Sequence, residues 1–122
     1  MMSEDRAPPN LPDRLERLTG TPAGCCVAEY RRLAVRIRDS PRFPSTMRLA
    51  KALADEHRLL AASLLRHRGE LCACEIQAAT GLTHSTVSHH MAVLVEAGVV
   101  RARRKGKWMY YRLAPRAGVA IP

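Results

Sequence analysis

Two short amphipathic stretches, each ended by a glycine, follow one another in the second half of this 122-residue chain. The first covers about residues 74–80 and stops at Gly81, and the second covers about residues 84–97 and stops at Gly98. Glycine after the last helical residue is a common end signal, because it adopts the left-handed conformation at little steric cost. The pattern predicts two helices joined by a tight turn, with Thr83 as the N-cap of the second.

A basic hairpin is predicted directly after the second helix. In VVRARRKGKWMYYRL, β-branched and aromatic residues flank Lys105-Gly106, which is typical of two strands joined by a turn. Residues 99–114 contain six basic side chains and no acidic one. Helix, tight turn, helix and hairpin in this order are typical of a winged helix-turn-helix. The predicted fold class is therefore mainly α with a small β-hairpin.

The second helix of this unit has two different faces. Its apolar residues recur at helical spacing and predict a buried face; they are Val87, Met91, Leu94 and Val95. The other face begins with short polar groups and imidazoles, which suit base edges and phosphates in a major groove. An ordinary solvated face is the alternative, but the cationic hairpin favours DNA. The predicted DNA contacts are His84, Ser85, Thr86, Ser88 and His89 on the helix, and Arg101, Arg103, Arg104, Lys105 and Lys107 on the hairpin.

The rest of the chain divides by composition. Residues 1–24 are rich in proline and glycine and are predicted to be a disordered arm, in which DRLERL could form one helical turn. Residues 25–45 combine a cysteine pair, an amphipathic helix over 28–39 and a proline-containing linker. Residues 46–114 are the predicted winged helix-turn-helix DNA-binding domain, and residues 115–122 are a short tail.

Two helices are predicted at the start of the DNA-binding domain, meeting near Asp55. Their core stripe consists of Leu49, Leu53, Leu60, Leu64 and Leu65, and Gly69 ends the second helix. His57 and His67 are expected on helix surfaces, without a function.

Charge and length restrict the partners. The formal net charge of +9 favours a polyanion. No apolar run of 18 residues and no signal core occur, so we expect a cytoplasmic protein without a membrane partner. A chain this short often gains burial by dimerising or by binding a metal. No nucleophile–base pair, phosphate loop or paired carboxylates are seen, so an enzyme is not predicted.

The four cysteines form two pairs, Cys25-Cys26 and Cys72-x-Cys74, each at the start of a predicted helix. On a regular helix Cys72 and Cys74 would point to nearly opposite sides, but at an irregular helix start both sulfurs could reach one thiophilic ion. A helix N-terminus also favours thiolates. Inert packing is the simpler alternative, since buried free cysteine is common. Two other functions are also compatible with the pattern: a thiol redox sensor that binds no metal, and a DNA-binding protein that responds to no ligand.

Four successive stretches carry a family resemblance: ALADEHRLLAASLL, ELCACEI, GLTHSTVSHHMAVLVEAGVV and RRKGKWMYYRL. Over about residues 47–114 the chain resembles the ArsR/SmtB family of prokaryotic metal-responsive repressors. The resemblance implies a homodimer that occupies double-stranded operator DNA and leaves when its inducer binds. It also implies DNA contacts from Ser85, Ser88 and His89, and a thiolate site for As(III), Cd(II) or Pb(II) at the Cys-x-Cys, with Zn(II) a further possibility.

Three departures from the family pattern are seen. His84 stands where glutamine is common, and Gln77 stands where some arsenic-responsive members have a third cysteine, so Cys25 and Cys26 are expected to complete the site. The chain ends in PRAGVAIP soon after the hairpin, so the usual C-terminal dimerisation helix is expected to be missing or vestigial, and dimerisation is expected to fall on helix 28–39. Because As(III) accepts three thiolates and tolerates vicinal cysteines, As(III) is the predicted inducer, with Cd(II) or Pb(II) as alternatives.

Overall fold

The computed structural model describes residues 13–14, 17–18, 20 and 23–122, and for residues 23–26 and 119–120 only the backbone. The chain divides into two units, residues 1–43 and 44–122. Most of the predicted arm lies outside the described residues, so its disorder stays a prediction. Its described residues 13–14 and 17–18 are helical.

The first unit is dominated by α1 (Ala23–Asp39), which begins five residues before the predicted start. It ends where Ser40 donates both its backbone N–H and its hydroxyl to the carbonyl of Ile37, at 3.1 and 2.7 Å. Four large apolar side chains along α1 are exposed: Tyr30, Leu33, Val35 and Ile37.

Helix α2 (Arg42–Leu53) begins before the predicted residue 46, so the expected linker was placed wrongly. Pro44 belongs to the expected linker, but it lies in the first turn of α2, where a missing N–H breaks no helical hydrogen bond. Helix α3 (Glu56–Arg68) starts near Asp55 as predicted, and Asp55 Oδ1 accepts the N–H of Arg58 at 3.0 Å. It ends at Gly69, whose φ is +84°.

The second unit continues with β1 (Glu70–Cys72), α4 (Ala73–Thr80) and α5 (His84–Glu96), followed by β2 (Val100–Lys105) and β3 (Trp108–Leu113). Both helices have nearly their predicted bounds, and the hairpin is present. The sheet has a third strand that was not predicted: β1 pairs antiparallel with the other side of β3, in the order β1-β3-β2. The fold class, mainly α with a small sheet, is confirmed.

The core lies between helices α3, α4 and α5 and one face of the sheet. The largest fully buried side chains are Leu65, Ile76, Met91, Leu94, Val87, Val99 and Val100. Of the predicted core residues, Leu49, Leu53 and Leu64 are partly buried against this cluster. Leu60 and Val95 are 42% and 38% exposed, so their predicted burial was wrong. The buried stripe of each helix is narrower than the run of apolar residues in the sequence.

The two faces of the sheet differ in chemistry. Leu71, Val100 and Tyr111 point to the core. The opposite face, here called the outer face, carries the residues that alternate with them. It consists of Glu70, Cys72, Arg101, Arg103, Lys105, Trp108, Tyr110 and Arg112.

The predicted tail returns to the core. A 3-10 helix covers Ala117–Ala120, and Ile121 is 3% exposed. Arg66 Nη1 donates to the carbonyl oxygen of Gly118 at 3.0 Å. Within the described ranges no helix is long and apolar enough to cross a bilayer.

Candidate nucleic-acid interface and metal-binding cysteines

The N-terminus of α5 is built around Thr83, the predicted N-cap. Its Oγ1 accepts the N–H of Thr86 at 3.3 Å, and its hydroxyl donates to Thr86 Oγ1 at 2.9 Å. Thr86 is half-buried and its hydroxyl takes part in this cap, whereas the other predicted helix contacts are exposed; they are His84, Ser85, Ser88 and His89. A helix N-terminus with small exposed polar groups is suited to phosphates and base edges.

The inner side of α5 is held against α3 by a polar contact as well as by the core. His90 Nδ1 lies 3.3 Å from Nη1 of Arg58. Arg58 Nε donates to the carbonyl of Ala52 at 2.6 Å, which fixes the guanidinium beside α5. Burial lowers the pKa of His90; Asp55 acts in the opposite direction.

His57 belongs to the same cluster, so its predicted place on the helix surface was wrong. It is half-buried, its ring centroid lies 5.9 Å from that of His90, and its Nδ1 is buried without a hydrogen-bond partner. His57 stands three and seven residues before Leu60 and Leu64, so the helical spacing of α3 could have indicated that it lies on the side of the leucine stripe. His67 is exposed, as expected.

All five predicted hairpin contacts are exposed basic side chains. Arg104, Lys105 and Lys107 lie at or near the tip, whereas Arg101 is opposite Arg112 near the base of the hairpin. Lys107 Nζ lies 5.4 Å from the centre of the Trp108 ring.

Arg103 differs from the other four because its guanidinium has partners within the sheet. Its Nε and Nη2 donate to Glu70 Oε2 and Oε1 at 2.8 and 2.7 Å, and its Cζ lies 5.3 Å from the centre of the Tyr110 ring. The hydrogen bonds from Arg103 hold the pKa of Glu70 below its usual value. Sequence reasoning missed Glu70, because only the register of β1 brings it near the hairpin.

Cys72 ends β1 and is the N-cap of α4, so the predicted irregular helix start is present. Its backbone N–H donates to Glu75 Oε1 at 3.0 Å, and its side chain accepts the backbone N–H of Glu75, so the two residues form a capping box. Hydrogen bonding from Cys72 holds the pKa of Glu75 below its usual value. Cys72 is half-buried and Cys74 is exposed, and both are free thiols.

The other two predicted ligands lie in the first unit. Cys25 and Cys26 are in the first turns of α1, where only the backbone is described. Among the described side chains, no three or more His, Cys, Asp or Glu residues are grouped so that they could hold a metal ion. Cys72 and Cys74 offer two sulfurs, and a three-coordinate ion needs one more donor. A site that joins all four cysteines therefore stays a prediction.

A sequence model described as "Bacterial regulatory protein, arsR family" matches residues 55–102. The homodimeric winged helix-turn-helix DNA-binding domain of a possible ArsR-family transcriptional regulator from Mycobacterium bovis is 38% identical, with a TM-score of 0.58. The match covers 63% of this chain and 70% of that one. This chain belongs to the ArsR family. The matched proteins are transcriptional regulators rather than enzymes, as predicted.

Curated relatives of this ArsR-family chain include regulators of arsenic resistance. The arsenic resistance transcriptional regulator ArsR1 of Pseudomonas putida is 48% identical over 53% of this chain and 51% of its own length. The arsenical resistance operon repressor of Escherichia coli is 44% identical over 57% of this chain and 59% of its own length. The chain thus spans little more than half the length of these relatives.

Proposed function

We propose that this ArsR-family chain is a cytoplasmic transcriptional repressor that holds operator DNA as a homodimer and releases it when As(III) binds cysteine thiolates. One observation carries this proposal. Cys72 stands where the strand that pairs with the basic hairpin passes into α4, the helix before α5. An ion bound at this junction would act on both candidate DNA-contacting elements.

The exposed N-terminus of α5 and the basic hairpin support DNA as the partner. His84, Ser85, Ser88 and His89 are exposed, and α5 is anchored from behind by buried side chains. In a homodimer two such helices would enter successive major grooves about 34–36 Å apart. The net charge of +9 adds a sequence-independent attraction for phosphates.

The charge around Cys72 supports As(III) over divalent cations. Cys72 shares the outer face with four basic residues, Arg101, Arg103, Lys105 and Arg112, and Glu70 neutralises one of them. Arsenous acid is uncharged at neutral pH, so the basic residues of this face do not repel it as they repel Cd(II) or Pb(II), and the Glu75 carboxylate beside Cys72 offsets that repulsion only in part. We propose that Cys25 or Cys26 supplies the third thiolate.

The exposed apolar residues of α1 support a homodimer formed through this helix. Tyr30, Leu33 and Ile37 follow one another at i, i+3 and i+7 and so lie along one stripe. Leu33→Asp places a charge in the stripe and is expected to produce monomers in sedimentation equilibrium. The matched change Ala28→Asp, in the same helix but outside the stripe, should leave the dimer intact. A Leu33→Asp protein that remains dimeric would contradict this interface.

The function is tested with reduced protein and a labelled fragment of its own promoter at fixed salt. As(III), Cd(II), Pb(II) and Zn(II) are titrated separately, with hydrogen peroxide in parallel. Release by As(III) at the lowest concentration supports the proposal. Release by cadmium or lead alone would reassign the inducer, and release by peroxide alone would make the thiols a redox switch.

A further inference from the structure

Cys72 lies in one row across the sheet with two hairpin residues. In the register of the sheet, Cys72 is opposite Tyr110 of β3, and Tyr110 is in turn opposite Arg103 of β2. Directly opposed residues of antiparallel strands point to the same face. Glu70 precedes Cys72 by two residues and therefore shares the outer face with this row.

An ion pair links the two outer strands of the sheet across this row. Arg103 makes a two-pronged contact with the Glu70 carboxylate, at 2.8 and 2.7 Å, while its guanidinium lies over Tyr110. We call this contact the Glu70–Arg103 clasp. It joins β1 directly to β2, although the backbone of each strand pairs only with β3.

Stability alone is a weak reason for such a contact. The Glu70 and Arg103 side chains are 31% and 53% exposed, and exposed ion pairs generally contribute little to folding, although two-pronged geometry is the most favourable case. The clasp can instead couple movements of Cys72 to the hairpin, because β1 has only three residues and Cys72 is the last of them. A displacement of Cys72 therefore reaches Glu70 within the same short strand.

We propose that Glu70 is a positioning residue that transmits inducer binding at Cys72 to the hairpin. The inference rests on the proposed function. The Cys72 side chain takes part in the capping box at the start of α4, so an ion that binds this sulfur competes with the cap and changes the junction between β1 and α4. Because the clasp connects Glu70 to Arg103, this change shifts Arg103 and the rest of β2. Strand β2 also contains Arg104 and Lys105, two of the proposed DNA contacts.

The test is the factor by which sodium arsenite raises the operator Kd. Glu70→Gln and Arg103→Gln should each reduce this factor about fivefold or more, since allosteric factors are typically about 5–150. The exchanged pair Glu70→Arg/Arg103→Glu should restore it at least in part. Arg104→Gln, which removes a neighbouring hairpin charge outside the clasp, should weaken DNA binding and leave the factor unchanged.

A second readout needs no DNA. Trp108 is the one tryptophan of the sequence and faces Lys105 at the end of the hairpin. Arsenite should shift the Trp108 fluorescence emission in the wild-type protein and not in Glu70→Gln. The arsenic–thiolate absorbance should titrate equally in both proteins, which shows that both bind arsenite.

Two results would overturn the inference in distinguishable ways. If arsenite does not release the wild-type protein from operator DNA, both the proposed function and the role of the clasp are contradicted. If arsenite instead releases the wild-type protein, raises the operator Kd of Glu70→Gln by the same factor and shifts its Trp108 emission equally, only the role of the clasp is contradicted.

Discussion

His90 Nδ1 of α5 lies 3.3 Å from the Arg58 guanidinium of α3, so a titratable side chain forms part of the support behind the candidate recognition helix. Burial lowers the pKa of His90 from 6.5. Asp55 counteracts this effect, while Arg58 and the neighbouring imidazoles of His57 and His89 add to it. A proton on His90 would bring a second positive charge against Arg58.

Stability should therefore decrease on acidification. Below about pH 6.5 the unfolded chain binds a proton at His90 while the folded chain does not yet bind one, so the free energy of unfolding falls with pH. The decrease levels off below the lower pKa of the folded state. Urea unfolding between pH 7.5 and pH 5, roughly spanning the His range, measures it.

His90→Asn should flatten this pH dependence, whereas His67→Asn should not, because His67 is exposed on α3. The slopes are compared rather than the absolute stabilities, so a variant of lower overall stability is still informative. Equal slopes for the wild type and His90→Asn would show that other groups cause the acid sensitivity.

Thr83 should matter for stability more than its exposure suggests. Its side chain caps α5 by accepting the N–H of Thr86. Thr83→Ala is expected to lower the free energy of unfolding by about 1 kcal/mol, the usual cost of losing an N-cap. Ser88→Ala, on the same helix and also exposed, should change stability little but weaken operator binding. A Thr83→Ala protein of unchanged stability would contradict the capping role.

Arg104 and Arg103 should differ in their effect on salt dependence. A side chain that neutralises a phosphate contributes about 0.9 to the slope of log Kd against log salt. Arg104→Gln should reduce the slope by about that amount, because Arg104 is exposed and outside the clasp. Arg103→Gln should reduce it less, because Glu70 already occupies the Arg103 guanidinium. Anisotropy titrations at four salt concentrations give both slopes, and equal reductions would contradict the distinction.

The local signals in the sequence were sufficient for the centre of the fold. Gly81 and Gly98 stand just after the two helices, and Thr83 caps α5 as its spacing predicted. Lys105-Gly106 marked the turn of the hairpin. Each of these features depends on residues that are close in sequence, so periodicity and turn chemistry identify them.

Features that depend on packing or register were not predictable in this way. The three residues of β1 are too few to show an alternating pattern, so neither the third strand nor the Glu70–Arg103 clasp was foreseen. The contact between His90 and Arg58 requires the packing of α5 on α3. Proline in residues 40–45 predicts a linker, whereas the first turn of α2 accommodates Pro44.

The most direct test of the account concerns the two sulfurs at the junction of β1 and α4. In Cys72→Ser/Cys74→Ser the fold should be kept, since serine is itself a good N-cap for α4. The measurement is the operator Kd of the wild type and this variant, with and without arsenite, under reducing conditions. We expect equal Kd values without arsenite, and we expect arsenite to release only the wild-type protein from the operator. A variant that arsenite releases as readily as the wild type would contradict this expectation.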